Sequence, residues 1–310
     1  MLTFGEHARA VLHNGLGRYQ TALDPAQSAS AQDELMLSVW SLPELIEAAV
    51  RCSDAGQILL GKSRDALPYG IEGGLGLVYV AIGQPERLAE WCRAQLARRR
   101  DSPVYMRAWL VRALSLAGCG GEAMDCAEGL IVAAEATGNP SLLAWALGAY
   151  GAAFGGADPV GALNALSRGL VIAQDSGNRT FASVLALFLA PLEAEHGDTL
   201  AALDHLTLAI RNYHNAGDTT TIRTPLSILA VLFDRLGRYE PAATIAGFAL
   251  SPMTAALREF TTATTHLREV VGDQTYESLA NKGDTMTTAA MVTYAYDQID
   301  QARTELEHPS

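Results

Sequence analysis

The chain has 310 residues, 49% apolar and 18% charged, enough to bury a sizeable core and too apolar to be disordered. Its net charge of −12, with no basic stripe, argues against gripping a phosphate backbone. Cys52, Cys92, Cys119 and Cys126 form no C-x-x-C pair and have no histidine at metal spacing, so free thiols in a cytoplasmic protein without metal or cofactor are expected.

The N-terminal stretch MLTFGEHARA carries charges where a secretory leader needs an apolar core. The most apolar run, residues 181–192, is too short to cross a bilayer, so no membrane is expected as a partner. Gly17-Arg18-Tyr19-Gln20-Thr21-Ala22 is the first sign of a repeat, because Gly237-Arg238-Tyr239-Glu240-Pro241-Ala242 nearly copies it. A glycine there ends one helix, and the alanine five positions on lets the next helix lie close against it. Helical units are less regular over residues 32–100, where Pro43, Pro68 and Pro85 punctuate the chain and residues 70–83 are glycine-rich. That stretch lacks a complete G-x-G-x-x-G, since Tyr79 stands where the third glycine belongs, and the repeat context favours helix over strand.

Within this irregular region Gly56, Gly61, Lys62 and Ser63 satisfy G-x-x-x-x-G-K-S, the phosphate-cradling loop of NTPases. A working loop follows a buried strand and opens a helix at the lysine. Here Leu42, Leu45, Ile46, Ala49 and Val50 precede the motif on a helical period, and its interior holds the bulky Ile58, Leu59 and Leu60. A helix that spells the motif by accident therefore explains more residues than an anion nest does. The apolar run ILAVLFD, ending at Asp234, resembles the metal-binding strand such an enzyme needs, but the period places it in a repeat helix. Arg98, Arg99 and Arg100 read as cations at a helix end answering its dipole.

From residue 101 to residue 250 the period is regular. Gly118, Gly156, Gly197 and Gly237 fall about 40 residues apart, and TGN at Gly138, SGN at Gly177 and AGD at Gly217 interleave at the same period. Before each of these second turns one helix face recurs in register. Ala123, Ala162 and Ala202 share a position, as do Ala127, Leu166 and Leu206, then Ile131, Leu170 and Ile210, then Ala134, Ala173 and Tyr213. The expected fold is all-α: helix-turn-helix units of the tetratricopeptide kind over residues 1–250, stacked into a right-handed superhelix with a concave face.

Residues 251–310 leave the period and read as a helical closing element. MTAALREFTTATTHLREVVG predicts one amphipathic helix, and DQTYESLANKG a short one capped by Asp273 and ended by Gly283. A last helix is capped by Asp284.

Candidate binding residues are large side chains on the first helices of the repeats, which line the concave side of such arrays. They are Tyr105, Trp109 and Arg112 on one helix, Trp145 and Tyr150 on the next, and Arg179 and Arg223 at the starts of the two after that. They suit a groove that holds a peptide, protein or small effector by aromatic contact and guanidinium pairing. The competing reading plugs the two tryptophans into the core between repeats. His205 and His214, nine apart, face opposite sides of a helix and cannot share a metal within it. No catalytic motif stands out, and a dimerisation scaffold is the other non-enzymatic reading.

AVLHNGLGRYQTALDPAQSA, WSLPELIEAAVRCSDAG and the final HLREVVGDQTYESLANKGDTMTTAAMVTYAYDQIDQARTEL together resemble the helical-repeat region of large LuxR-type regulators. In that family a STAND-class NTPase, sometimes behind a nucleotide cyclase, precedes tetratricopeptide-like repeats, and a DNA-binding helix-turn-helix often follows. The resemblance implies the sensing and interaction portion of such a regulator. ATP hydrolysis, cyclase activity and DNA contact are not carried over, because the segments that hold them are not matched, and Gly56–Ser63 falls among the family's repeat helices.

Overall fold

The computed structural model describes residues 2–30, 80, 84–98, 103–196 and 198–308, and no strand occurs among them. The protein is an all-α helical-repeat protein. Gly56, Gly61, Lys62 and Ser63 lie outside the described residues, as do the helix expected before them and nearly all of the glycine-rich stretch at 70–83.

The chain divides into two compact units. In the first, residues 1–80 with 99–102, helix α1 (Leu2–Gly15) packs on α2 (Tyr19–Ser30). Between them Gly17 takes φ 69°, and the Arg18 N–H reaches back to the His13 carbonyl at 2.8 Å. Ala22, the small residue after that turn, is fully buried.

The second unit, residues 81–98 with 103–310, begins with α3 (Pro85–Arg98) and α4 (Pro103–Leu116). Next come α5 (Gly120–Ala127), α6 (Leu130–Ala136), α7 (Pro140–Phe154), α8 (Pro159–Asp175), α9 (Arg179–His196) and α10 (Thr199–Asn215). Helices α11 (Arg223–Arg235) and α12 (Tyr239–Ala249) complete the repeats. First helices touch first helices, α4 on α7, α7 on α9 and α9 on α11, and so build one layer against which the second helices pack.

Short corners set this arrangement. In TGN, SGN and AGD the glycine adopts φ of 64°, 70° and 71°. The residue after it then caps the next helix in TGN and SGN, and holds the turn before Arg223 in AGD. The Asn139 side chain accepts from the Ser141 and Leu142 N–H groups, Asn178 from Phe181, and Asp218 from Thr220 and Thr221. At the first two corners one dipeptide stops a helix and starts the next. The recurring face that precedes each corner is the core: Ala123, Ala162 and Ala202 are fully buried, as are Leu206 and Ile210.

Gly156 departs from the expected left-handed stop. The link from α7 to α8 is one residue longer than those after α4 and α11, and it closes in right-handed geometry, with the Ala157 and Asp158 N–H groups both on the Phe154 carbonyl. The abundance of small residues also finds its use here. A Cβ on Gly151 would lie 2.4 Å from Leu166, and one on Gly169 3.2 Å from Leu147, so α7 and α8 approach closer than larger side chains allow.

Residues 251–308 pack on the last repeats, in four helices where the sequence suggests three. Ser251 and Thr254 form a capping box that begins the short α13 (Pro252–Ala255). Leu257 then leaves helical geometry and packs against the core before α14 (Arg258–Val271) begins. Asp273 is the first residue of α15 (Asp273–Asp284) rather than its cap, and α16 (Thr288–Glu307) is capped by Thr287, not Asp284. Gly283 does not end α15. It is buried inside the helix because α12 crosses there: a Cβ on Gly283 would lie 1.8 Å from the Thr244 carbonyl oxygen, and one on Gly247 2.0 Å from that of Ala280. Two backbones meet directly, and the glycines are the condition for it.

Gly283→Ala is therefore expected to cost about 3 kcal/mol or more, since overpacking here strikes backbone that has no side chain to move aside. Gly121→Ala, on a helical glycine with nothing within 4 Å, should leave stability unchanged or raise it by up to about 1 kcal/mol. Urea unfolding of the two variants beside the parent checks both.

Candidate functional site

The expected binding residues separate into three places. Tyr105, Trp109 and Trp145 come together in a row of rings that Phe181 extends. Tyr105 meets Trp109 edge-on at 6.5 Å, Trp109 meets Trp145 at 4.9 Å, and Trp145 stacks on Phe181 at 5.5 Å and 13°. The row crosses α4, α7 and α9, with Trp109, Trp145 and Phe181 each 36 residues from the next, about one helical turn short of the repeat. Phe181 is absent from the expected set; it stands four residues after Gly177 of SGN, where the TGN corner has Leu142 and not Trp145.

Trp109 and Trp145 are 5% and 6% exposed, so they pack between repeats as a core plug does. Both indole N–H groups are nevertheless buried with no hydrogen-bond partner. Such a group costs about 1–3 kcal/mol when it is left without an acceptor.

Arg112 stands one turn beyond Trp109 on α4. Its guanidinium carbon lies 4.0 Å from the centroid of the Phe188 ring, two first helices away on α9. The helix between them presents Gly148, where a Cβ would meet Leu185 at 3.1 Å and Phe188 at 3.6 Å. Withdrawal from water lowers the Arg112 pKa to about 10, an effect that Tyr213 opposes. The phenol of Tyr213 is itself pushed well above its ordinary value, first by burial and then by Asp218, while Arg112 pulls the other way. Arginine, aromatic faces and a neutral phenol thus share one poorly solvated region.

The other expected residues lie elsewhere or are engaged. Arg223 caps the end of α12: it donates to the Phe248 carbonyl and, at 3.1 Å, to that of Leu250, with Phe248 beneath it. Arg179 is the exposed first residue of α9. Tyr150 stacks on Phe154 at 4.3 Å and helps line an open hollow of about 460 Å³ with Met124, Asp125, Glu128 and Val132.

That hollow arises from a departure in the first regular repeat. The second helices α8 and α10 run unbroken for 17 residues, whereas here the chain breaks between α5 and α6, with Gly129 at φ 69°. Arg107 holds the break, donating to the carbonyls of Cys126 at 3.0 Å and Glu128 at 2.7 Å. Helical periodicity hides this feature, because Gly129 lies on the exposed side of the run, off the apolar face that continues through the break.

Asp234 lies in α11, as the period expects, and its carboxylate pairs with His266 at 2.9 Å. His205 sits against Glu193 at 2.6 Å. No helix among the described residues is long and apolar enough to cross a membrane. No protein-family model and no curated protein matches the chain.

Alkaline pH tests the buried phenols. Burial raises the pKa values of Tyr213, Tyr276, Tyr294 and Tyr296, so the folded chain keeps those protons above pH 10, where the unfolded chain releases them. Their contribution is complete below that pH and is lost as pH rises through the folded values. Arg112 acts in the opposite direction, but it is one group against four. Thermal stability is expected to fall above about pH 10, with phenolate absorbance appearing together with unfolding, and Tyr213→Phe should flatten the fall.

Proposed function

We propose that the chain is a non-catalytic interaction module of a signalling or transcriptional regulator, and that its layer of first helices is the binding face for a peptide, a protein or a small effector. The row from Tyr105 through Trp109 and Trp145 to Phe181, continued by Arg112, carries this reading. Aromatic area and a guanidinium on one face of three consecutive repeats are what recognition by stacking and charge-assisted hydrogen bonds requires. Stacked helix pairs supply such a face without any catalytic group. The reach of Arg112 across α7 to Phe188 supports an array curved toward its first helices, and a right-handed superhelix is part of the proposal. The resemblance to the repeat region of LuxR-type regulators supports a sensing role in the cytoplasm.

A thermal-shift screen of small effectors and short peptides tests the reading. A ligand at one hundred times its Kd stabilises its protein by about 2.7 kcal/mol, which a melting curve resolves easily. Ligands that raise Tm are expected to lose most of that shift in Phe181→Ala, which removes the half-buried end of the row. Hits that act equally on Phe181→Ala would move binding away from this face and overturn the reading. In the same buffers Mg-ATP is expected to give no heat of binding, with or without Lys62→Ala. Heat that disappears in the variant would restore the phosphate-loop reading of Gly56–Ser63.

A further inference from the structure

We propose that Arg112 anchors an anion site on the first-helix layer, and that its ligand is an organic monocarboxylate with a flat apolar body. The inference rests on the binding face proposed above and specifies its ligand.

The argument begins with donors and acceptors. A guanidinium carries five N–H donors and no acceptor, and an indole carries one donor and no acceptor. Among the described residues the other arginines withdrawn from solvent have partners. Arg107 and Arg223 donate to backbone carbonyls, and Arg238 donates to Gln298 and Gln301 and pairs with Glu305. Exposed Arg93 and Arg168 pair with glutamates. Arg112 is half-buried, rests on Phe188, and has neither a carboxylate nor a carbonyl against its guanidinium among the described residues. One turn back on α4 is Trp109, and the ring of Trp145 packs on it; the buried Nε1 atoms of both are donors without acceptors.

Three donor-only groups on two contacting helices, with no acceptor among them, are complementary to an acceptor-rich anion. At neutral pH Arg112 remains charged, since its pKa falls only to about 10. A desolvated charge with no counterion is costly, and a bound anion relieves that cost. A single guanidinium matches one negative charge, and planar carboxylate oxygens fit its fork. Phe188, which packs over Gly148 of the intervening helix, supplies the aromatic surface beside the guanidinium that a flat apolar body would lie against.

The experiment uses the full chain, R112M and R112K in low-chloride buffer, followed by Tm and by tryptophan emission. Benzoate is the probe, and benzamide is its neutral isostere. Benzoate is expected to raise the Tm of the parent chain saturably and to shift its emission, with at least tenfold weaker binding to R112M. Benzamide should do neither. R112M should melt at or above the parent without ligand, because the variant removes an uncompensated charge. R112K keeps the charge without the fork and should bind benzoate more weakly. A short peptide ending in phenylalanine, with a free or an amidated terminus, distinguishes a peptide carboxylate from a free acid. Binding of the free-terminus peptide alone, or of benzoate alone, supports the site and names the source.

No saturable response to benzoate or to the free-terminus peptide would overturn the proposal, as would equal binding to R112M. A loss of several degrees in unliganded R112M would make the guanidinium structural and also sink it. If benzamide binds as benzoate does and Phe181→Ala abolishes both, the binding face stands and its anionic character falls. If no ligand depends on Phe181, the binding face itself fails.

Discussion

The repeats are held together by a reversal of two residues. A left-handed glycine stops one helix, the Asn139 or Asn178 that follows it accepts from the first free N–H groups of the next, and Asp218 holds the turn that leads into α11. Because the stop and the start are adjacent, the second helix of one pair cannot drift relative to the first helix of the next. Side chains about 40 residues apart are thereby brought to the same level of the stack. The buried alanines of the second helices follow from that registration, whereas the aromatic row steps back one helical turn per repeat.

Packing between repeats accounts for the aromatic row. Trp109, Trp145 and Phe181 fill the space between neighbouring first helices and so lend each repeat its neighbour's stability. Burying a side chain of this size contributes about 1.5–3 kcal/mol, enough to offset an indole N–H left without an acceptor. Arg112 gains no comparable burial. Its stem lies along the same layer, but its charge is desolvated over Phe188 without a neutralising partner among the described residues. Structural need accounts for the rings more fully than for the cation.

Much of this was legible in the sequence. The helical class, the interleaved corners, the register of buried residues and the helical state of Asp234 follow from periodicity, which reports which face of a helix is covered. Periodicity is silent about covering by backbone alone. Gly283 looked like a helix terminator because glycine so often is one; only the crossing with α12 shows why it stands inside α15. Gly129 and Gly148 were hidden for a related reason, since a missing side chain leaves no mark on a hydrophobic pattern. Phe181 was hidden because it follows SGN one helical turn sooner than Trp145 follows TGN. Arg223 had the right residue type at the start of a first helix, but its donors are spent on the end of α12. The contact between Arg112 and Phe188 joins first helices two repeats apart, a relation that local sequence does not encode.

Helix α4 carries Trp109 and Arg112 toward its neighbouring first helices, and Arg107 toward the break between α5 and α6. The two carbonyls freed by that break are held from outside, so the angle between the two short helices is set by α4 and not by their own hydrogen bonds. Any rotation of α4 about its axis turns both sets of contacts at once. The aromatic row and the hollow beside Tyr150, on separate surfaces and with no side chain in common, are thus geared to the same shaft.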